Sequence, residues 1–129
     1  MIVLDSSAAV DFVARLGFGE WVGAAIRAEP TVHAPHVLDV EVLGALRRLV
    51  LRALITEDEA HGALEDFKAL RVRRYPHVPF VARIWELRQT LSPPDAAFVA
   101  LAEALDARLV TTDQRLARAP GLAVEVLAP

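Results

Sequence analysis

The chain has 129 residues, a size that suits one domain spanning residues 1–129. A hydrophobic fraction of 54% with a net charge of −3 excludes a disordered chain. The absence of cysteine excludes a disulfide scaffold and any thiolate metal site. No run of about 18 uncharged apolar residues occurs, and Met1 leads directly into Ile2-Val3-Leu4-Asp5. Neither a membrane span nor a signal peptide is therefore expected, and a cytoplasmic protein is.

The elements alternate along the chain. Ile2–Leu4 is a short apolar strand, and Asp5-Ser6-Ser7 caps a helix expected from Ala8 to Leu16. A second helix is expected over Gly19–Ala28, and a strand over Thr31–Ala34 between two prolines. A long helix follows from Pro35 to Arg52. Thr56-Glu57-Asp58-Glu59 then opens a helix running to Leu70, with acids at its dipole-favoured end. Val72–Tyr75 predicts a strand, and Val78–Thr90 a helix. Ser92-Pro93-Pro94-Asp95 starts another helix, ending near Ala107. Arg108–Thr112 reads as a strand, Gln114–Ala117 as a short helix and Val124–Leu127 as the last strand. Strands separated by helices predict an α/β fold: a mostly parallel sheet with helices on both faces.

Ligands of open α/β sheets gather beyond the carboxyl ends of the strands. Asp5 and Asp113 each follow such an end. A lone aspartate there is usually a cap or turn residue; two at one edge call for more. Asp95 sits at the third position of its helix, as a capping residue would. It also shares a row with Phe98, Val99 and Ala102, the inward face. In the Pro35–Arg52 helix, Leu38, Val42, Ala45, Leu46 and Leu49 form the core face. Glu41 lies on one margin of that face, and Asp39 on the other as its competitor. Clustered carboxylates repel one another and must protonate or bind a cation. An oxygen-only donor set suits Mg²⁺ or Mn²⁺, and such ions activate water against a phosphodiester. Setting the four acids aside leaves fourteen basic against thirteen acidic residues, so the remaining surface does not exclude RNA.

These pieces resemble PIN-domain ribonucleases, and among them the VapC-type toxins of toxin–antitoxin pairs. The resemblance spans the chain. It is carried by Ile2-Val3-Leu4-Asp5-Ser6-Ser7-Ala8, by Ala34-Pro35-His36-Val37-Leu38-Asp39-Val40-Glu41 with Leu46-Arg47-Arg48, by Asp95 through Ala102, and by Leu109-Val110-Thr111-Thr112-Asp113. It implies a PIN-like three-layer fold and a metal-dependent endoribonuclease, with RNA as substrate and Mg²⁺ (or Mn²⁺) as cofactor. Asp5, Glu41, Asp95 and Asp113 match the family's acidic metal-binding quartet. Ser6 and Thr111 match its supporting hydroxyls. A cognate antitoxin and a homodimer are the implied partners. There are two departures: Gly44 stands where relatives often have asparagine, and Pro94 where many place an aromatic residue.

Other side chains have plainer readings. The four histidines form no i, i+4 pair, which argues against a zinc site. Trp21 and Trp85 read as core or interface packing. Arg47 and Arg48 read as helix-terminal charge, but Arg48, seven residues after Glu41 and on its side of the helix, also suits an RNA phosphate. Val40 and Leu51 point away from the core face, as a docking helix would have them. A catalytically silent PIN-like module that binds protein or RNA is the alternative reading. A phosphoacceptor receiver domain also carries aspartates at strand ends, but it needs a lysine after a late strand. The only lysine, Lys68, precedes Val72–Tyr75.

Overall fold

A computed structural model describes residues Met1–Pro129. Its elements, in chain order, are β1 (Ile2–Leu4), α1 (Ser6–Val13), α2 (Gly19–Arg27), β2 (Val32–Pro35), α3 (Val37–Leu51), α4 (Glu57–Ala69) and β3 (Val72–Tyr75). A single 3₁₀ turn (Val78–Phe80) leads into α5 (Val81–Glu86). Then come α6 (Pro93–Leu105), β4 (Arg108–Val110), α7 (Gln114–Ala117) and β5 (Val126–Leu127). All strand pairs are parallel, in the order β3-β2-β1-β4-β5.

That order fixes the layers. The connections β1→β2 and β2→β3 step one way across the sheet, whereas β3→β4 and β4→β5 step the other way. Right-handed crossovers therefore put α1–α4 on one face and α5–α7 on the opposite face. The helix contacts agree: α1 packs on α2, α3 and α4, and α5 on α6. The expected three-layer α/β architecture is what forms.

The middle of this sandwich is dry. Ile2, Val3 and Leu4 of the central strand are fully buried, as expected for a parallel strand covered on both faces. Helix α6 is buried over seven consecutive residues, Ala96–Ala102. Its alanines let the helix lie close to the sheet, while Phe98 and Leu101 fill the space between. No helix is long and apolar enough to cross a membrane.

Several boundaries differ from the sequence expectation. Helix α1 starts at Ser6 rather than Ala8, because Asp5 itself is the N-cap. It stops at Val13, and the chain then turns through Arg15 in the left-handed region (φ 56°). Pro35 belongs to β2 and pairs with Tyr75, and the His36 N–H donates to the Tyr75 carbonyl, so α3 begins only at Val37. The single helix expected over Val78–Thr90 is a 3₁₀ turn, the short α5 and a further turn, with Pro79 in the opening turn. Strands β4 and β5 are shorter than expected, ending the ladder at Val110 and beginning it at Val126.

Two glycines in helices are under opposite constraints. A Cβ at Gly19 would stand 2.4 Å from the Asp11 carbonyl oxygen, whereas one at Gly62 would meet nothing within 4 Å. Gly62→Ala should therefore stabilise the fold by about 0.5–1 kcal/mol through helix propensity. Gly19→Ala should destabilise it by about 1–3 kcal/mol through overpacking. Urea unfolding of the two variants checks both signs.

Candidate active site

The strand order reverses at β1, whose neighbours β2 and β4 lead the chain in opposite directions. The crevice between the carboxyl ends of β1 and β4 is the switch point, where α/β sheets bind ligands. Asp5 leaves β1 there: its N–H donates to the Val110 carbonyl, continuing the ladder by one rung (3.1 Å). The next residue starts α1, so the Asp5 side chain caps that helix, accepting the Ala8 N–H on Oδ1 at 2.9 Å. Ser7 Oγ donates to the same oxygen at 2.8 Å, and Thr111 Oγ1 donates to Oδ2 at 2.5 Å.

Those bonds belong to a wider lattice. Thr111 is fully buried at the end of β4. Its hydroxyl accepts the Asp113 N–H at 3.0 Å and lies 3.2 Å from Ser7 Oγ. Ser7 Oγ in turn accepts the Thr112 N–H at 3.1 Å. Two hydroxyls thus fasten the first turn of α1 to the loop after β4. No buried side-chain polar atom lacks a partner.

The expected supporting residue Thr111 holds this place, but the partner hydroxyl is Ser7 rather than Ser6. With Asp5 as N-cap, Ser7 is the second helical residue, and its side chain turns back toward the cap. Ser6, the first helical residue, donates none of these bonds. Both serines stand beside Asp5 in the sequence; only the exact helix start tells them apart.

Asp95 and Asp113 come to the same edge by helix starts. Helix α6 runs into β4 at the amino end of the sheet, so its own beginning lies at the carboxyl end. There Ser92 caps it, its hydroxyl accepting the Asp95 N–H at 3.4 Å, with Pro93 and Pro94 in the first turn. Asp113 caps α7, accepting the Arg115 N–H on Oδ1 at 2.8 Å and Arg115 Nη2 on Oδ2 at 3.0 Å.

The three carboxyls feel one another. Burial pushes Asp5 up from 3.8 to about 6, against the lowering effect of the Ala8 N–H and the Thr111 and Ser7 hydroxyls; the charge of Asp95 raises it further. Burial also raises Asp95; Ser92 and Arg115 work against this, and the charge of Asp113 adds to it. Asp113 is desolvated too, but the Arg115 side chain and N–H and the Leu116 N–H bring it below its ordinary value.

Glu41 lies half-buried on α3, without a hydrogen bond or ion pair. Its competitor Asp39 is occupied, accepting Arg74 Nε at 2.7 Å and Arg74 Nη2 at 2.8 Å. The ion pair removes Asp39 from the list of free carboxylates on this helix. Exposed Arg48, near the end of α3, lies back over Gly44: a Cβ there would stand 3.5 Å from Arg48 Nη1. That is ordinary van der Waals contact, so a small side chain at position 44 would also fit beside this arginine. His33 is a satisfied core histidine, held by Tyr75 Oη at 2.7 Å and Thr31 Oγ1 at 2.8 Å. Trp85 is not packed in the core: it is 66% exposed, with the Arg88 guanidinium 4.4 Å over its ring.

The donors at this edge are all carboxylate or hydroxyl oxygens, the chemistry of a hard divalent cation. No three of the acids stand close enough together to hold one ion at once. Asp5 has about four acceptor sites; the donors Ser7, Ala8 and Thr111 occupy three of them, leaving one on Oδ2. Asp113 has both oxygens engaged by Arg115. The set fits such an ion in its chemistry and charge, provided the Arg115 guanidinium lets go and the acids close up around the ion.

A raised carboxyl pKa has a signed consequence for stability. Below about pH 4, Asp5 is neutral in both the folded and the unfolded chain, and its contribution is fully present. As pH rises to about 6 the unfolded chain loses that proton more readily, and the contribution is lost. The change is on the order of 3 kcal/mol. Asp5→Asn keeps a neutral, hydrogen-bonding side chain at every pH. In EDTA, the stability of Asp5→Asn relative to wild type should therefore increase from pH 4 to pH 7 and level off above. Denaturant unfolding across that range checks it; a constant difference would contradict the burial of this carboxyl.

Comparison with known proteins adds the lineage. A family model described as "PIN domain" matches residues 2–122. The chain is 46% identical over 126 residues to ribonuclease VapC12 of Mycobacterium tuberculosis, covering 98% of this chain and 97% of that one. It is 45% identical over 125 residues to ribonuclease VapC1 of the same organism, covering 96% and 94%. Among solved structures, VapBC2 from Rickettsia felis bound to a DNA fragment from its promoter superposes with a TM-score of 0.68 at 16% identity, covering 100% and 99% of the two chains. A toxin–antitoxin complex from Klebsiella pneumoniae does so with a TM-score of 0.65 at 18% identity, covering 98% and 96%. With the family model spanning nearly the whole chain and these identities extending end to end, the protein belongs to the PIN-domain family, alongside the VapC ribonucleases.

Proposed function

We propose that the chain is a divalent-metal-dependent endoribonuclease acting as the toxin of a toxin–antitoxin pair. The observation that carries this is the placing of Asp5, Asp95 and Asp113 at the switch point, with Asp95 close enough for its charge to act on Asp5 and for that of Asp113 to act on Asp95. The near full-length identity to ribonucleases VapC12 and VapC1 supports the reaction.

Asp5 Oδ2, Asp95 and Asp113, closing up from their present separation, would hold Mg²⁺ or Mn²⁺, with Glu41 contributing from α3. A bound ion of this kind supplies Lewis acidity that acidifies water and offsets charge developing on a phosphoryl oxygen. The chain's own residues do the rest. Thr111 and Ser7 fix the Asp5 carboxylate, so it does not reorganise during the reaction. Arg48 offers a charged donor on the Glu41 side of α3, in reach of an RNA backbone phosphate.

Partners are read from the surface. Helix α3 buries Leu38, Val42 and Leu46, yet leaves Val40 71%, Leu51 66% and Leu43 49% exposed. An apolar second face on one helix suits a protein partner. We assign it to self-association and to a cognate antitoxin, by extension from the toxin–antitoxin complex of K. pneumoniae. The alternative, a catalytically silent module that binds protein or RNA, is favoured by the separation of the acids.

Cleavage distinguishes the two. Purified protein should cut single-stranded RNA in Mg²⁺ or Mn²⁺ and stop in EDTA. Asp5→Asn, Glu41→Gln, Asp95→Asn and Asp113→Asn should each lose about a hundredfold or more of the rate, while remaining folded by circular dichroism. Asp39→Asn, which breaks only the ion pair to Arg74, should stay active. Full activity in Asp5→Asn would remove the metal site from the mechanism, and inactivity of the wild type with every divalent ion would favour the binding module.

Light scattering tests the surface. A dimer is expected at roughly tens of micromolar, where specific homodimers persist, and Val40→Asp should shift it to monomer. A Val40→Asp dimer as stable as wild type would clear α3 of that role.

A further inference from the structure

This inference rests on reading Asp5, Asp95 and Asp113 as a divalent-cation site. Arg115 engages both oxygens of Asp113, its main-chain N–H donating to Oδ1 at 2.8 Å and its Nη2 to Oδ2 at 3.0 Å. The two bonds differ in character. The first is part of the α7 cap and is fixed by the backbone. The second comes from a side chain that is 89% exposed and has no other ion-pair partner.

The guanidinium's charge also reaches Asp95. Its charge therefore offsets repulsion between Asp95 and Asp113. A divalent ion needs the same Asp113 oxygen, and two cations sharing one carboxylate repel each other. Arg115 can release Oδ2 without disturbing Asp113, because the main-chain bond to Oδ1 stays in place. Once released, the side chain is an exposed planar fork of N–H donors beside a site for phosphodiester chemistry, the geometry that suits a phosphate.

We propose that Arg115 is an internal counter-cation: it holds Asp113 until a divalent ion displaces it, and then takes a non-bridging phosphate oxygen of the RNA backbone. It thereby opposes metal in the free protein and supports RNA in the loaded one. These opposite signs make it testable.

The first measurement is Mn²⁺ binding without RNA, by titration calorimetry, on wild type, Arg115→Gln, Arg115→Lys and Arg118→Gln. Arg118, exposed at the end of α7, controls for the loss of one nearby charge. Arg115→Gln should bind Mn²⁺ about two- to fivefold more tightly, the range of an exposed ion pair. Arg118→Gln should match wild type. The second measurement is cleavage of single-stranded RNA at saturating Mn²⁺. There Arg115→Gln should raise KM about tenfold, the effect of losing one charged hydrogen bond, with little change in kcat. Arg115→Lys, which keeps the charge but not the fork, should leave Mn²⁺ affinity near wild type and raise KM. Unchanged or weaker Mn²⁺ binding by Arg115→Gln overturns the proposal, as does equal tightening in Arg118→Gln. Tighter Mn²⁺ binding with an unchanged KM overturns the phosphate role. A wild type that binds no Mn²⁺ removes the cation site and this proposal together.

Discussion

The site depends on one carboxylate kept where carboxylates are expensive to keep. Asp5 is 2% exposed, at the end of a fully buried strand and beneath the first turn of a helix. Burial works against its ionised form. Three donors from α1 and the end of β4 hold it in place even so. The same three bonds join β1, α1 and β4, so the position of Asp5 and the geometry of the switch point are one constraint. A fold that needed only a helix cap here would be served by a neutral residue such as serine or asparagine. An acid at this buried cap goes beyond what capping needs, which supports the proposed cation site.

Around this fixed point the other acids are held less firmly. Asp95 and Asp113 stand in the first turns of α6 and α7, where N-cap geometry places them without burying them fully. Their charges couple to one another, and Arg115 offsets part of the repulsion. In the proposed site, one rigid carboxylate with adjustable companions would let an ion enter without unfolding it. Glu41 stands on a different layer, on a helix whose outer face carries Val40, Leu43 and Leu51. That helix links the acidic edge to the surface assigned to partners, so whatever packs on α3 has a direct route to one of the four acids.

Much of this was legible in the residues. Ile2-Val3-Leu4 followed by Asp5 reads as a central buried strand with an acid at its carboxyl end, because a strand covered on both faces must be continuously apolar. Ser92-Pro93-Pro94-Asp95 reads as a helix start, because proline suits the first turn and serine the cap. What was not legible depends on packing or on single-residue register. Ser7 rather than Ser6 bonds to Asp5 because the helix begins one residue after the acid, a boundary that periodicity does not resolve. Pro35 extends β2 because Tyr75 lies beside it, a contact between distant parts of the chain. Trp85 lies in the short α5 that replaces most of the expected long helix, and which face of that helix is left exposed is set by packing rather than by the residue type.

Whether the switch-point acids hold a divalent ion, as proposed, is tested most directly by anomalous diffraction from crystals soaked in Mn²⁺ and grown without chelator. One anomalous peak or a close pair is expected at the carboxyl ends of β1 and β4. Asp5 Oδ2 should lie about 2.1 Å from an ion, with Asp95 and Asp113 drawn closer to it than they stand in the metal-free geometry and Arg115 turned away. A peak elsewhere on the surface, or none at this edge at millimolar Mn²⁺ with Arg115 still on Asp113, would contradict it.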